Sequence, residues 1–155
     1  MHRYEEQDSE QTLAEGLSEY YRENANLVPR SKLSAEANEF FRCHDTAHVV
    51  FGCDISLNDE AMVKIYSIFG TSGGIGILKG YRLHESGEIY RKLSIVEVVK
   101  TAFAAVVLIP RTMLKCRSQC GRWPWNQFDD QLGVPLKKLR EEYGVRVAHL
   151  NHPPP

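Results

Sequence analysis

The chain has 155 residues, 43% of them hydrophobic, with a formal charge of -1 and a pI near 6.6, enough to bury one core and too few for a second full domain. Its basic residues are scattered, the tightest group being Lys137, Lys138 and Arg140, so no broad positive field for nucleic acid forms. The most apolar run, Ala102 to Ile109, covers only eight residues, against the ~20 that a membrane-spanning helix needs.

Residues 1–10 carry Glu5, Glu6, Asp8 and Glu10 and read as a polar N-terminal tail, too acidic for a transit peptide and without the apolar core of a secretory signal. The expected location is therefore cytoplasmic, or peripheral on the inner face of a membrane. A single all-α domain is predicted over 11–147, a helical bundle, followed by a C-terminal tail at 148–155. Its first helix covers Gln11 to Arg22, and the polar turn Asn24 to Arg30, with Pro29, ends it. From Leu33 the positions Ala37, Phe40, Phe41, His44, Ala47, His48 and Phe51 recur at helical spacing, and Gly52 is a natural stop. After a short link, Leu57, Ala61, Ile65, Ile68 and Phe69 repeat that period behind a Ser56 cap, closing at Gly70. The glycine-rich stretch Gly70 to Gly80 reads as a bend, a hinge or gate with at most one helical turn. Ser94 is placed to cap a long helix running past Pro110 toward Leu114 and kinked there, with Val96, Val99, Phe103 and Val106 as core. The Trp123–Pro124–Trp125 loop is balanced between core and an apolar contact surface. Val134 to Tyr143, with Pro135 at its start and Gly144 beyond, is the last short helix. The four cysteines, Cys43, Cys53, Cys116 and Cys120, are expected as reduced thiols, since their spacing is not that of a zinc site.

The chemistry concentrates in His44, Asp45 and His48, followed by eleven residues and Glu60. On a helix His44 and His48 lie one turn apart, with Asp45 within reach of His48 at i+3. The link after Gly52 should fold the next helix back antiparallel, bringing Glu60 level with His48. The histidines share the apolar stripe and point inward, and an unpaired buried carboxylate beside them costs several kcal/mol, a cost that a divalent cation removes. The ordinary alternative is a pair of histidines satisfied by carbonyls and hydroxyls, with Glu60 in a surface ion pair to Lys64 at i+4. Imidazole and carboxylate ligands suit Zn(II) first, with Fe(II) or Mn(II) also compatible. Four protein ligands would close a tetrahedral ion, so catalysis requires either an expanded shell or Asp45 acting as a base or as a partner to a ligand.

His44-Asp45-x-x-His48-x11-Glu60 resembles the signature of the coenzyme Q biosynthesis protein 4 family, and the likeness extends through Asn26 to Arg30, through His48, Val49, Val50, Phe51 and Gly52, and through Leu136 to Val145. This resemblance implies an all-α fold, a divalent metal at His44, Asp45, His48 and Glu60, and a cavity for a prenylated aromatic or isoprenoid lipid. It also implies ubiquinone-type chemistry, removal of a ring carboxylate with hydroxylation at the same carbon, in a protein associated with other quinone-biosynthesis enzymes at a membrane. The short chain without a transit-like start looks like a non-mitochondrial relative.

Two other enzyme classes fit less well. HDxxH is a shortened HExxH, but Asp is one methylene shorter than Glu and the third ligand follows only twelve residues after His48. A phosphohydrolase of the His-Asp type needs further ligands, and His84, His149 and His152 lack the spacing. The non-enzyme alternative is a prenyl-lipid-binding or scaffold protein that uses the apolar faces around Ile95 to Leu108 and the two tryptophans. A homodimer is expected from the general frequency of twofold oligomers alone.

Overall fold

The computed structural model describes residues 2–24, 33–83 and 95–149, with backbone only for 82–83 and 95–105. Within them the fold is all-α, as the periodicity predicts. The helices are α1 (Leu13–Glu23), α2 (Ala35–Phe51), α3 (Leu57–Ile65), α4 (Leu78–Leu83), α5 (Ile95–Arg117) and α6 (Leu136–Tyr143). Short 3-10 turns cover Arg3–Glu5, Gly74–Ile77 and Asp129–Gln131, and a π-helical turn, Tyr66–Gly70, continues α3. Among the described residues there is no strand, only isolated bridges between Thr12 and Pro135 and between Thr71 and Trp123.

Each helix boundary has a local chemical cause. Thr12 forms a capping box, its hydroxyl accepting from the Glu15 amide while the Glu15 carboxylate accepts from the Thr12 amide. Ser34 and Ser56 accept from the amides of Ala37 and Asp59 and so start α2 and α3. Gly52, at φ 63°, ends α2 in the left-handed conformation that glycine adopts without a Cβ penalty.

The starts of α1 and α6 satisfy one another. Leu13 and Ala14 donate to the carbonyls of Val134 and Leu132, and Leu136 and Lys137 donate to those of Gln11 and Ser9. The first amides of a helix have no partner within it, so these bonds tie the two N-termini together.

The core gathers Tyr4, Leu13, Tyr20, Val49, Val50, Phe51, Val63, Tyr66, Trp123, Phe128, Leu136 and Leu139. Arg140 is buried within it. Its Nε donates to the Val50 carbonyl at 2.9 Å and its Nη2 to that of Val49 at 2.8 Å, with further bonds to the carbonyls of Tyr4 and Glu6. The guanidinium thus caps the last turn of α2 and fastens the N-terminal segment to it.

Several expectations need correction. Residues 2–10 are no free polar tail: Tyr4 is fully buried, and Glu5 and Ser9 are buried with it. The aromatic ring, hidden among acidic neighbours in the sequence, outweighs them. The C-terminal boundary also moves, because Ala148 donates to the Phe51 carbonyl and His149 pairs with Asp59; residues 150–155 lie outside the described part. Trp123 is core, stacked on Phe128 and edge-on to Tyr143, and is no lipid-facing ring. Val106, expected in the core, is 71% exposed, while Thr112 and Cys116 are the buried positions among the described side chains of α5. The glycine-rich bend is more helical than expected, since it includes the Gly74–Ile77 turn and leads directly into α4. The expected Ser94 cap, the 24–30 turn beyond Asn24 and the side chains of Val96, Val99 and Phe103 fall outside the described residues. No helix among those described is long and apolar enough to cross a membrane.

Candidate metal centre

His44 and His48 come from the buried face of α2, one turn apart, and their rings meet edge to face with centroids 4.7 Å apart. The Gly52 stop and the Asp54–Ser56 link return the chain so that Glu60, in the first turn of α3, faces both. Glu60 Oε1 lies 3.4 Å from His48 Nε2, and Oε2 lies 3.9 Å from His44 Nε2. Ligand atoms of these three residues fall within 4.8 Å of one another, so among the described residues they form a group that can hold a metal ion. Bonds of ~2.05 Å at tetrahedral angles separate ligand atoms by about 3.3 Å. The 3.4 Å distance from His48 already fits that spacing, whereas the 3.9 Å distance from His44, and the 4.8 Å bound on the group, call for the side chains to close in around an ion.

Hydrogen bonding supports the same assignment. His44 Nε2 and both ring nitrogens of His48 are buried and have no hydrogen bond of ordinary geometry, the nearest partner of His48 Nε2 being the Glu60 carboxylate at 3.4 Å. A buried polar atom left without a partner costs about 1–3 kcal/mol, and three such atoms within one pair of side chains are unusual in a folded protein. Two of them, the Nε2 atoms, face Glu60. Without an ion, the carboxylate and the histidines compensate each other electrostatically. Burial pushes the Glu60 carboxyl up, but His48 and then His44 and Lys64 outweigh it and hold it at about 2. Burial likewise opposes the His48 imidazolium, yet Glu60 and Asp45 raise its pKa above the ordinary histidine value. The cluster is thus arranged to attract positive charge.

Asp45 is placed differently from the expected fourth ligand. It is buried, but its Oδ1 lies 3.8 Å from His44 Nδ1, on the far side of the ring from the Nε2 that faces Glu60. Successive helical residues are 100° apart and do not face one point. The geometry matches the other role foreseen for Asp45, a partner that orients a ligand.

Aromatic rings wall the centre. Tyr20 of α1 packs on His48 with centroids 5.2 Å apart, Phe40 lies over His44 at 6.0 Å, and Tyr81 of α4 meets His44 at 5.6 Å and Phe40 at 5.0 Å. The Lys64 ammonium lies 5.4 Å from the Tyr81 ring centroid. Tyr81 can approach because its neighbour is glycine: a Cβ on Gly80 would come within 2.1 Å of the Phe40 ring. Tyr20, Tyr81 and Gly80 were not foreseen from the sequence. The glycine spacing was the sole available signal for the last of these, and nothing in the local pattern marks either tyrosine. The WPW loop contributes through Trp125, whose ring lies 6.0 Å from Phe40.

Comparison with protein-family models, with curated proteins and with solved structures finds no match to this chain.

Proposed function

We propose that this chain is a metal-dependent protein of quinone-biosynthesis type, in which His44, His48 and Glu60 hold one divalent cation, Zn(II) in first place, and a prenylated aromatic acid loses its ring carboxylate. The observation that carries the metal reading is the pair of buried imidazole Nε2 atoms facing one carboxylate, with ligand atoms of all three residues within 4.8 Å of one another. The decarboxylation reading comes from the HDxxH-x11-E pattern. When bound, the cation supplies a Lewis acid for a carboxylate and an adjacent phenolic oxygen.

The chain's own residues do the rest. Three protein ligands leave a tetrahedral ion one position for substrate. Asp45 beside His44 Nδ1 keeps the proton on that nitrogen and leaves Nε2 to coordinate. Tyr20, Phe40 and Tyr81 exclude water and offer flat apolar faces to an aromatic ring. As the bond from ring to carboxylate breaks, carbon dioxide leaves, the electron pair remains on the ring, and a proton from solvent replaces the lost group.

A second reading, a non-catalytic prenyl-lipid carrier or scaffold in a quinone-biosynthesis complex at a membrane surface, is favoured by exposed Val106, Val107 and Leu114 on α5. Native mass spectrometry of wild type and Glu60→Ala, reading metal and co-purified lipid together, separates the two. One divalent ion per chain, lost in the variant, followed by carbon dioxide release from prenylated hydroxybenzoates, supports the enzyme. Lipid without metal, after reloading with zinc, iron and manganese, supports the carrier.

A further inference from the structure

Residues 145–149 form a strap that touches α2, α3, α5 and the N-terminal segment. Val145 and Val147 are buried. The Ala148 amide donates to the Phe51 carbonyl at the end of α2. Lys115 of α5 donates to the carbonyls of Val147 and Ala148 at 2.8 and 2.7 Å. Gln7 brackets the strap from the N-terminal segment, donating to the Val145 carbonyl and accepting from the Val147 amide. Gly52 is glycine partly for this reason, since a Cβ there would lie 2.9 Å from Val147.

The strap ends on the hairpin itself. His149 Nε2 lies 2.9 Å from Asp59 Oδ2, and that oxygen also accepts from the Asp54 amide at 2.7 Å. Asp54 in turn accepts from the Ser56 amide, and Ser56 caps α3 through the amide of Asp59. Asp59 is 1% exposed, and its Oδ1 makes no hydrogen bond. A buried carboxylate with one oxygen unbonded depends on the partners at the other, here the Asp54 amide and the His149 ring. Asp59 is the residue immediately before Glu60.

We propose that His149 is a positioning residue for the metal centre: by holding Asp59 in the first turn of α3 it fixes the approach of Glu60 to His44 and His48, so that docking of the strap and metal binding are coupled. The coupling rests on the metal-centre reading above. Without His149, Asp59 Oδ2 keeps only the Asp54 amide as partner, the first turn of α3 loses its tie to the strap, and Glu60 shifts with it. Linkage is reciprocal, so the ion must also hold the strap more firmly.

The test is zinc affinity, by competition with a chromophoric chelator, for wild type, His149→Ala, His149→Gln and Leu13→Ala, together with hydrogen exchange of the strap amides with and without zinc. The expected result is about tenfold weaker binding in His149→Ala, the lower end of the range for partners of metal ligands. His149→Gln, which can still donate to Asp59, recovers most of it. Leu13→Ala, a core truncation on α1, lowers stability but leaves affinity unchanged. In wild type, zinc slows exchange at the Ala148 amide. Equal affinity in wild type and His149→Ala, or strap exchange indifferent to zinc, overturns the coupling while leaving the metal centre intact. Wild type that takes up no zinc removes the centre and the coupling with it.

Discussion

The metal-free and metal-loaded forms should respond to pH with stability slopes that differ by at least one proton. In the metal-free protein the His48 imidazolium is stabilised by Glu60 and Asp45, so its folded pKa lies above the unfolded value of about 6.5. A raised folded pKa contributes stability that is fully present below pH ~6.5 and is lost as pH climbs through the folded value. Each bound proton is worth about 1.4 kcal/mol per pH unit in that window, with stability falling as pH rises. Metal coordination demands a neutral imidazole. In the loaded form the unfolded chain therefore holds the extra His48 proton below pH ~6.5, and stability rises with pH by the same amount per unit. Glu60, held at about 2 when folded, is ionised in both states between pH 5.5 and 8 and adds no slope there.

Taking the difference between loaded and metal-free stability removes the titrations common to both, including that of Glu5. That difference should grow by about 1.4 kcal/mol per pH unit until the folded pKa of His48 is passed, which is a tenfold gain in zinc affinity per unit. The assay is urea denaturation followed by circular dichroism from pH 5.5 to 8, with EDTA and with a fixed excess of zinc. Parallel curves would refute the assignment of His48 as a ligand, because binding that displaces no imidazole proton cannot use its ring nitrogen.

Arg140→Lys should cost about 3–5 kcal/mol in chemical denaturation: burial already pulls the guanidinium down to about 10, and an ammonium cannot reach the carbonyls of Tyr4, Glu6, Val49 and Val50 together. A loss below 1 kcal/mol would mean that these bonds are not kept in solution. Gly80→Ala should lower the melting temperature by the equivalent of about 1–3 kcal/mol, since its methyl meets the Phe40 ring, and should lift Tyr81 from His44, detectable as increased tyrosine accessibility to acrylamide quenching. The double variant His48→Leu plus Glu60→Leu should be as stable as wild type in EDTA, or more so by about 1–4 kcal/mol, yet gain nothing from zinc. His48→Leu alone, which leaves Glu60 without its nearer partner, should be the less stable of the two; the reverse order would contradict the charge balance assigned to the site.

Much of the metal hairpin was legible because its information is local. His44 and His48 share one helical face, Gly52 must end the helix, Ser56 must start the next, and the short link leaves Glu60 little choice of position. Asp45 was the weak member of that set for an equally local reason, the 100° that separates neighbouring helical residues. What could not be read lies far away in sequence. Tyr20, Tyr81 and His149 reach the hairpin from three other segments, and no periodicity links them to it. Tyr4 was hidden because charge density in a segment reports its solvated face and says nothing of a single ring that anchors it. Val106 failed the other way: an apolar run on a helix carries an apolar surface all round, and only the neighbours decide which side is covered.

The distribution of unsatisfied groups argues for what the hairpin is for. Two nitrogens of His48, one of His44 and one oxygen of Asp59 are buried without hydrogen bonds, all within the two arms of one turn. Glu60 offsets part of the cost at the two Nε2 atoms, and at about 1–3 kcal/mol for each atom left without a partner the remainder is still a sizeable fraction of the net stability of a domain this size. Leucine or phenylalanine at the same positions would avoid the cost and fill the same volume, and the surrounding Tyr20, Phe40 and Val49 would accept them. The three side chains His44, His48 and Glu60 form a group that can hold a metal ion, and a ligand there would relieve the cost. A divalent cation satisfies the two Nε2 atoms and the Glu60 carboxylate in a single step, which no hydrogen-bond donor or acceptor among the described residues does.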